Sequence, residues 1–136
     1  YPETMILFTA HSIPVPMAEA SPYVQQLETT ARLIAERLNY DNWRLVYQSR
    51  SGRPTDPWLE PDVCDVIEEI AKEGVKNVIA QPIGFICDHI EVLFDIGVEA
   101  QETSDEVGIK LLRAKTVNDD PKFIQAMADV VLKMME

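Results

Sequence analysis

The chain has 136 residues, which is the size of one domain with a single buried core. Apolar residues make up 46% and charged residues 26%, as in folded globular proteins and unlike disordered chains. A formal net charge of −11 argues against nucleic acid or an anionic membrane surface as a partner, and no apolar run reaches the ~20 residues of a transmembrane segment. The two cysteines form neither a disulfide framework nor a CxxC metal pair, so we expect a reducing, cytoplasmic environment.

The first half of the chain alternates between strand and helix patterns. An apolar run over residues 4–10 predicts the first strand, and apolar positions at helical spacing from Val24 to Leu38 predict a helix. Residues 43–49 predict the second strand, and the Gly- and Pro-rich residues 51–61 predict a loop. A second helix is expected from about Asp62 to Glu73, because its apolar positions follow the helical period and a glycine comes directly after it.

The second half repeats this alternation. Residues 76–84 predict the third strand, residues 88–107 a helix that ends at Gly108, and residues 109–114 the fourth strand. A last helix begins near Asp120, and we expect four of its apolar residues to be buried: Phe123, Met127, Val130 and Met134. Strands and helices in alternation predict an α/β fold, with a single doubly wound, four-stranded parallel sheet and helices on both faces.

The third predicted helix is unusually acidic, since residues 84–108 carry seven acids and no lysine or arginine. At about 100° per residue, five of the acids fall within an arc of roughly 80°. They are Asp88, Glu91, Asp95, Glu99 and Glu102. Two interpretations stay open, an acidic face in solvent or a ladder of oxygen ligands for a divalent cation. The position after the third strand favours the ligands, because open α/β sheets bind ligands at the carboxyl ends of their strands.

His11 follows the first strand and is therefore expected at the same sheet edge as Glu91. If the first and third strands are neighbours, the two side chains face one another across one crevice. For His11 taken alone, a histidine hydrogen-bonded within a loop is the alternative. We expect His89 to point away from Glu91 and to support or pack rather than to ligate. An irregular turn is expected near Gly97, because glycine inside a helix is about 1 kcal/mol less favourable than alanine.

Five stretches of sequence occur together in the chain: TAHSIP (9–14), YQSR (47–50), DPWLEP (56–61), PIGFICDHIEVLFDIGVE (82–99) and DDPKFIQAMADVV (119–131). In this order and spacing they make the chain resemble the ferrochelatase family, whose members insert ferrous iron into a porphyrin in haem synthesis. The resemblance extends over residues 1–136 but covers only the C-terminal half of a family member. It therefore implies a single C-terminal ferrochelatase-type domain, without the N-terminal half that supplies much of the porphyrin pocket.

The resemblance implies roles for individual residues. His11 matches the family's metal-insertion histidine and Glu91 its partner glutamate, so both are expected to be catalytic and to bind the metal. Asp95 and Glu99 match outer acidic positions where some members hold a second, hydrated divalent cation. Two aromatic residues match positions of the porphyrin pocket: Tyr47 and Trp58.

The resemblance also implies an enzyme of the lyase class that takes Fe²⁺ and a porphyrin as substrates and holds no tightly bound cofactor. No iron–sulfur cluster is expected, because the chain ends soon after the last helix. Since half of the pocket is missing, we expect the chain alone to be weakly active or inactive without the N-terminal half or a second copy. Two alternatives stay open, a short homodimeric class II tetrapyrrole chelatase and a non-catalytic metal- or tetrapyrrole-binding module. The sequence does not distinguish protoporphyrin from coproporphyrin.

Overall fold

The computed structural model describes residues 2–136 and contains a four-stranded parallel sheet with the strand order β2-β1-β3-β4. The strands are β1 Thr4–His11, β2 Trp43–Gln48, β3 Asn77–Pro82 and β4 Lys110–Arg113. The helices are α1 Val15–Glu19, α2 Tyr23–Leu38, α3 Val63–Lys72, a π-helix Val92–Ala100 that continues as α4 Gln101–Val107, and α5 Pro121–Met135. The predicted α/β fold, with a four-stranded parallel sheet and helices on both faces, is confirmed.

The central strand β1 is buried on both of its faces. Successive side chains of a strand point to opposite sides of the sheet. Leu7 packs with Ile67 of α3 and Ile96 of the π-helix on one side. Phe8 packs with Ala31 of α2 on the other side. A strand covered on both faces has a nearly continuous apolar sequence, and this is the run that predicted β1.

The neighbouring strands β1 and β3 bring two functional segments together. They pair in parallel, with Thr9 opposite Pro82, so their carboxyl ends lie side by side. From β1 the chain goes first to β2 at one edge and afterwards to β3 and β4 on the other side. In an open α/β sheet the ligand crevice forms where two successive connections lead to opposite sides of one strand. The fold therefore places the end of β1 and the loop after β3 on one crevice.

Two helix ends follow from particular residues. The side chain of Asp62 accepts a hydrogen bond from the N–H of Cys64 at 2.9 Å and caps α3, close to the predicted start of this helix. Burial raises the pKa of the Asp62 carboxyl group. Gly108 ends α4 with a left-handed φ of 76°, a conformation that glycine adopts without steric cost. These ends fix the bounds of the elements on the α3 side of the sheet.

The last helix, α5, differs from its prediction. It begins as expected, with Pro121 in the first turn and the Asp120 side chain accepting from the N–H of Lys122, but none of its residues is buried. The expected burial is therefore wrong for all four positions: Phe123, Met127, Val130 and Met134. The helical period predicts that a helix has an apolar face, but it does not say what covers that face. Among residues 2–136, no helix has the length and hydropathy needed to cross a bilayer.

An apolar groove also lies open on the α2 side of the sheet, beside β3 and β4. Its volume is about 470 Å³. The apolar lining residues include Ile6, Leu38, Ile79 and Leu112. The groove and α5 are therefore two apolar surfaces for which the described residues supply no cover.

Replacing Ile67 with alanine is expected to lower the free energy of unfolding by about 2–5 kcal/mol, because this fully buried side chain would leave a cavity between α3 and β1. Urea unfolding followed by circular dichroism measures the change. Val130→Ala on α5 is the control: Val130 is 63% exposed, and its loss should change the same free energy by less than about 0.5 kcal/mol. Equal decreases in the free energy of unfolding for the two variants would contradict a buried Ile67 and an exposed Val130.

Candidate active site

His11 is the last residue of β1, and two neighbours hold its ring and its backbone. The ring is oriented by Nδ1, which donates a hydrogen bond to the carbonyl of Ser12 at 2.5 Å, and the backbone is held by the hydroxyl of Tyr23, which donates to the carbonyl of His11 at 2.8 Å. Burial raises the pKa of Tyr23, which keeps this hydroxyl protonated as a donor. A carbonyl oxygen only accepts, so Nδ1 carries the proton and the neutral ring presents a lone pair at Nε2.

Glu91 faces that lone pair. Its Oε2 lies 3.3 Å from Nε2 of His11, and the two side chains are 44% and 33% exposed. A neutral imidazole and an ionised carboxylate would both be acceptors here, so their approach is favourable only with a proton or a cation between them. The structure thus brings together the two residues that the sequence singled out. The pair can hold a proton or contribute one nitrogen and one oxygen to a metal ion.

His89 lies on the same side as this pair, contrary to expectation. Its Nε2 is 3.9 Å from Oε2 of Glu91. The prediction that His89 points away from Glu91 is wrong because the helix begins only after His89, whose direction therefore does not follow the helical period. The ring of Phe85 lies near both imidazoles, with centroid distances of 6.2 Å to His11 and 5.0 Å to His89. The sequence analysis assigns no role to Phe85, although it lies in the stretch PIGFICDHIEVLFDIGVE (82–99), directly after Gly84.

The acidic stripe is rearranged by the π-helix. In this form each backbone N–H bonds five residues back instead of four, so an arc calculated for an α-helix no longer applies. Asp88 precedes the helix altogether, and its predicted place in the stripe is wrong. The irregular helix expected around Gly97 is present, and it extends over Val92–Ala100.

Asp95 faces the end of β2 and is bonded to it. Its Oδ2 accepts hydrogen bonds from the hydroxyl of Ser49 and, at 3.3 Å, from Nε2 of Gln48. The buried amide of Gln48 also donates to the backbone carbonyl of Glu91 at 3.3 Å. These contacts attach the π-helix to β2 beside Glu91. Glu99 is exposed, and a cation site formed by Asp95 and Glu99 stays a prediction.

Gly84 allows the loop after β3 to approach β1 closely. A Cβ atom at Gly84 would lie 2.6 Å from Cβ and 2.8 Å from Cα of Ala10, the residue before His11. The N–H of Gly84 donates to the carbonyl of Thr9 at 3.1 Å, which continues the strand pairing into the loop. Only glycine leaves room for this contact. Gly84 lies in the stretch 82–99 that carries the family resemblance, but the sequence alone does not show that this glycine packs on the backbone of Ala10.

The two aromatic residues expected in a ligand pocket lie elsewhere than at the His11–Glu91 pair. Tyr47 is 4% exposed and packs with Ala10 and Leu27 beneath α2, so this conformation gives it almost no surface for a ligand. Trp58 is half-buried in the loop before α3 and forms an isolated β-bridge with Pro14, three residues after His11. A pocket role for Trp58 and Tyr47 stays a prediction.

The described residues contain no group of three or more His, Cys, Asp or Glu side chains arranged to hold a metal ion. The His11–Glu91 pair brings one imidazole nitrogen and one carboxylate oxygen to within 3.3 Å of one another.

Comparison with known proteins gives consistent results along almost the whole chain. A family model described as ferrochelatase matches residues 2–135. The ferrochelatase of Rhodopirellula baltica is 47% identical over 130 residues, covering 94% of this chain and 37% of that protein. The coproporphyrin III ferrochelatase of Streptomyces griseus is 44% identical over 143 residues, covering 94% of this chain and 38% of that protein. This chain thus spans less than half the length of these relatives.

A solved structure shares the fold at low identity. The putative cobalamin (vitamin B12) biosynthesis CbiX protein of Marinobacter aquaeolei superposes with a TM-score of 0.70 over 97% of both chains, at 17% identity. At this identity the likeness concerns the fold alone. It shows that the same arrangement of strands and helices occurs in a chain of similar length.

Replacing Gly84 with alanine is expected to displace the loop after β3 and to lower the free energy of unfolding by about 1–3 kcal/mol, because the new methyl group meets the backbone of Ala10. Gly97→Ala is the matched control: its Cβ would meet nothing within 4 Å, so stability should stay unchanged or rise by up to about 1 kcal/mol. Denaturant unfolding of both variants measures the difference. If Gly84→Ala were as stable as the parent, the close approach would not be required.

Proposed function

This chain belongs to the ferrochelatase family, and we propose that it carries the histidine and the glutamate of a site that inserts ferrous iron into a porphyrin. One observation carries the proposal, the 3.3 Å contact between Nε2 of His11 and Oε2 of Glu91 at the crevice between β1 and β3. The family relation supports the reaction class, lyase-type chelation. The relatives include both ferrochelatases and coproporphyrin III ferrochelatases, so the porphyrin is left open between these types.

Metallation has a simple chemical balance. Two pyrrole N–H bonds break, the protons leave, and Fe²⁺ forms bonds to the nitrogens with no change in oxidation state. In the proposed mechanism Nε2 of His11 accepts one of these protons, because a neutral imidazole is a suitable base near neutral pH. The Ser12 carbonyl and the Glu91 carboxylate then stabilise the imidazolium from its two sides.

Glu91 and His89 provide a route for the protons to leave. The carboxylate of Glu91 contacts Nε2 of His11 at 3.3 Å and Nε2 of His89 at 3.9 Å, so it lies between the two rings. Both His89 and Glu91 are partly exposed to solvent. We assign them the transfer of protons from the crevice to water, while the oxygen of Glu91 and the nitrogen of His11 guide Fe²⁺ inward.

We further propose that Asp95 and Glu99 hold a second, hydrated divalent cation outside this pair. Ser49 and Gln48 both donate to Oδ2 of Asp95, which leaves Oδ1 for a cation or its water. The formal charge of −11, and a helix without lysine or arginine, favour cations at this edge of the molecule. The site would supply cations to Glu91 one turn away.

A porphyrin also needs a second wall for its pocket, and we propose that another lobe provides it. The features that support another lobe are the unburied α5 and a length below half that of the relatives. The open groove lies towards the amino ends of β3 and β4, away from His11, and supports the lobe only as a further uncovered surface. The lobe is the remainder of a longer protein or a second copy of the chain. A homodimer of this chain is the alternative to a longer protein.

His11→Ala and Glu91→Gln are expected to lower the rate of Fe²⁺ or Zn²⁺ insertion by about 10²–10⁴-fold, the loss typical of removing a positioned acid or base. The rate is followed by porphyrin absorbance, with coproporphyrin III and protoporphyrin in parallel and with the second lobe supplied. Glu102→Gln is the matched control, because it removes the same charge from an exposed position on α4. Full turnover by His11→Ala would refute the assignment, and ligand binding without turnover in any assembly would favour the non-catalytic module.

Val131→Glu on α5 is expected to weaken association with the second lobe at least about tenfold, equivalent to about 1.4 kcal/mol, because it places a charge on an apolar face that assembly would bury. Gln125→Glu adds the same charge to a polar position of the same helix and should have a smaller effect. Sedimentation with and without the separate N-terminal half distinguishes the two kinds of lobe. Rapid metallation by a strictly monomeric chain would contradict the need for either.

A further inference from the structure

A polar cluster joins the segment after β4 to the loop that carries His89. Its centre is Asp88, whose Oδ1 accepts hydrogen bonds from Nη1 of Arg113 at 3.0 Å and from the N–H of Thr116 at 3.1 Å. Oδ2 of Asp88 accepts from Nδ2 of Asn118 at 3.0 Å. The Asp88 side chain is only 17% exposed. Its carboxylate is therefore held on both oxygens by the segment that follows β4.

Asn118 also binds the backbone of the loop that carries His89. Its Oδ1 accepts from the backbone N–H of Asp88 at 2.9 Å, and its own N–H donates to the carbonyl of Ile86 at 2.8 Å. The hydroxyl of Thr116 donates to the same Oδ1 at 3.0 Å. Asn118 has a positive φ of 45°, a conformation in which asparagine is enriched among residues other than glycine. The backbone and side chain of this one residue thus bind the loop at Ile86 and at both the N–H and the carboxylate of Asp88.

We infer, resting on the function proposed above, that Asn118 is a positioning residue that acts through Asp88 to aim His89 and Glu91 at His11. Asp88 directly precedes His89 and stands three residues before Glu91. Asn118 contacts neither of the proposed catalytic side chains. Hydrogen bonds, chiefly the one from Asn118, lower the pKa of Asp88, which keeps the carboxylate ionised and able to accept. The loop after β3 then has two attachments, to β1 at Gly84 and to the segment after β4 at Asp88.

The relation between Asp88 and Asn118 allows an exchange experiment. Asn118→Asp replaces the Nδ2 donor with an acceptor that faces the Asp88 carboxylate, so it converts an attraction into a repulsion. The double variant Asp88→Asn with Asn118→Asp reverses the direction of that hydrogen bond. The amide oxygen of the new asparagine still accepts from Arg113 and Thr116, and the new carboxylate still accepts from the N–H of residue 88. Net charge is the same in the parent and in the double variant.

With the second lobe present, Asn118→Asp should lower kcat for metal insertion at least about tenfold, towards the ~10²-fold that a misplacement of about 1 Å costs, with little change in the KM for porphyrin. The double variant should recover most of the loss. Asn39→Asp is the matched control, because it makes the same chemical change at another left-handed residue, with φ of 50°, at the end of α2. It should leave kcat unchanged.

A second readout does not need turnover. Imidazole nitrogen resonances of His11 and His89 in isotope-labelled protein report the geometry of the pair, and Asn118→Asp should shift both while the double variant returns them towards the parent values. If His11→Ala left metallation intact, the proposed function would be wrong. The imidazole resonances of the parent and of Asn118→Asp would still test whether Asn118 positions the loop. Unchanged resonances and kcat in Asn118→Asp would overturn the positioning role. So would a loss of kcat that only follows a lower melting temperature and that the double variant does not reverse.

Discussion

The contact between Nε2 of His11 and Oε2 of Glu91 decides how the site behaves, because both atoms are hydrogen-bond acceptors when the ring is neutral and the carboxyl group ionised. The Ser12 carbonyl favours this tautomer by accepting a hydrogen bond from the protonated Nδ1. Two acceptors 3.3 Å apart repel one another unless a positive charge lies between them. The pair consequently responds to protons and to cations in the same place, and a reaction that exchanges protons for a metal ion requires both responses.

The rest of the fold holds that contact at a sheet edge. β1 carries His11 from a core that is buried on both faces, so the backbone on that side is rigid. The opposite side is a loop and a π-helix, which are attached at three points. Gly84 packs on Ala10, Asp95 accepts from the end of β2, and Asp88 is bound to Asn118. Each attachment comes from a different strand or its connection, so the position of Glu91 depends on the whole sheet.

Much of the fold could be predicted because local signals and burial agree. The apolar run of β1 and the apolar helical spacing of α3 indicated their elements almost to the residue, and neighbouring first and third strands were enough to bring His11 near Glu91. The direction of His89 was missed because it depends on where an irregular helix begins. The π-helix itself has no reliable sequence signal beyond a glycine. A Cβ at Gly97 would meet nothing within 4 Å, so the helix form is not imposed at that glycine by crowding.

The exposure of α5 was missed for a different reason. Its sequence specifies an apolar face correctly. Burial also requires a second surface that packs on this face, and the sequence of α5 says nothing about that surface. The open groove beside β3 and β4 shows that the same incompleteness affects the sheet. Helix and groove are both apolar surfaces without cover among the described residues, and under the proposed function a second lobe covers them.

Under the proposed function the metal is a substrate, and the donors of the His11–Glu91 pair can be considered in that light. Binding energy that stabilises the bound ion and the transition state equally does not raise kcat, and a closed set of ligands would retain the iron before the macrocycle receives it. One imidazole nitrogen and one carboxylate oxygen hold a cation weakly and leave most of its coordination positions to water or pyrrole nitrogens. The same two atoms become proton acceptors once the ion has left. Under the proposed mechanism, a third strong ligand beside His11 and Glu91 would therefore slow turnover even though it improved metal binding.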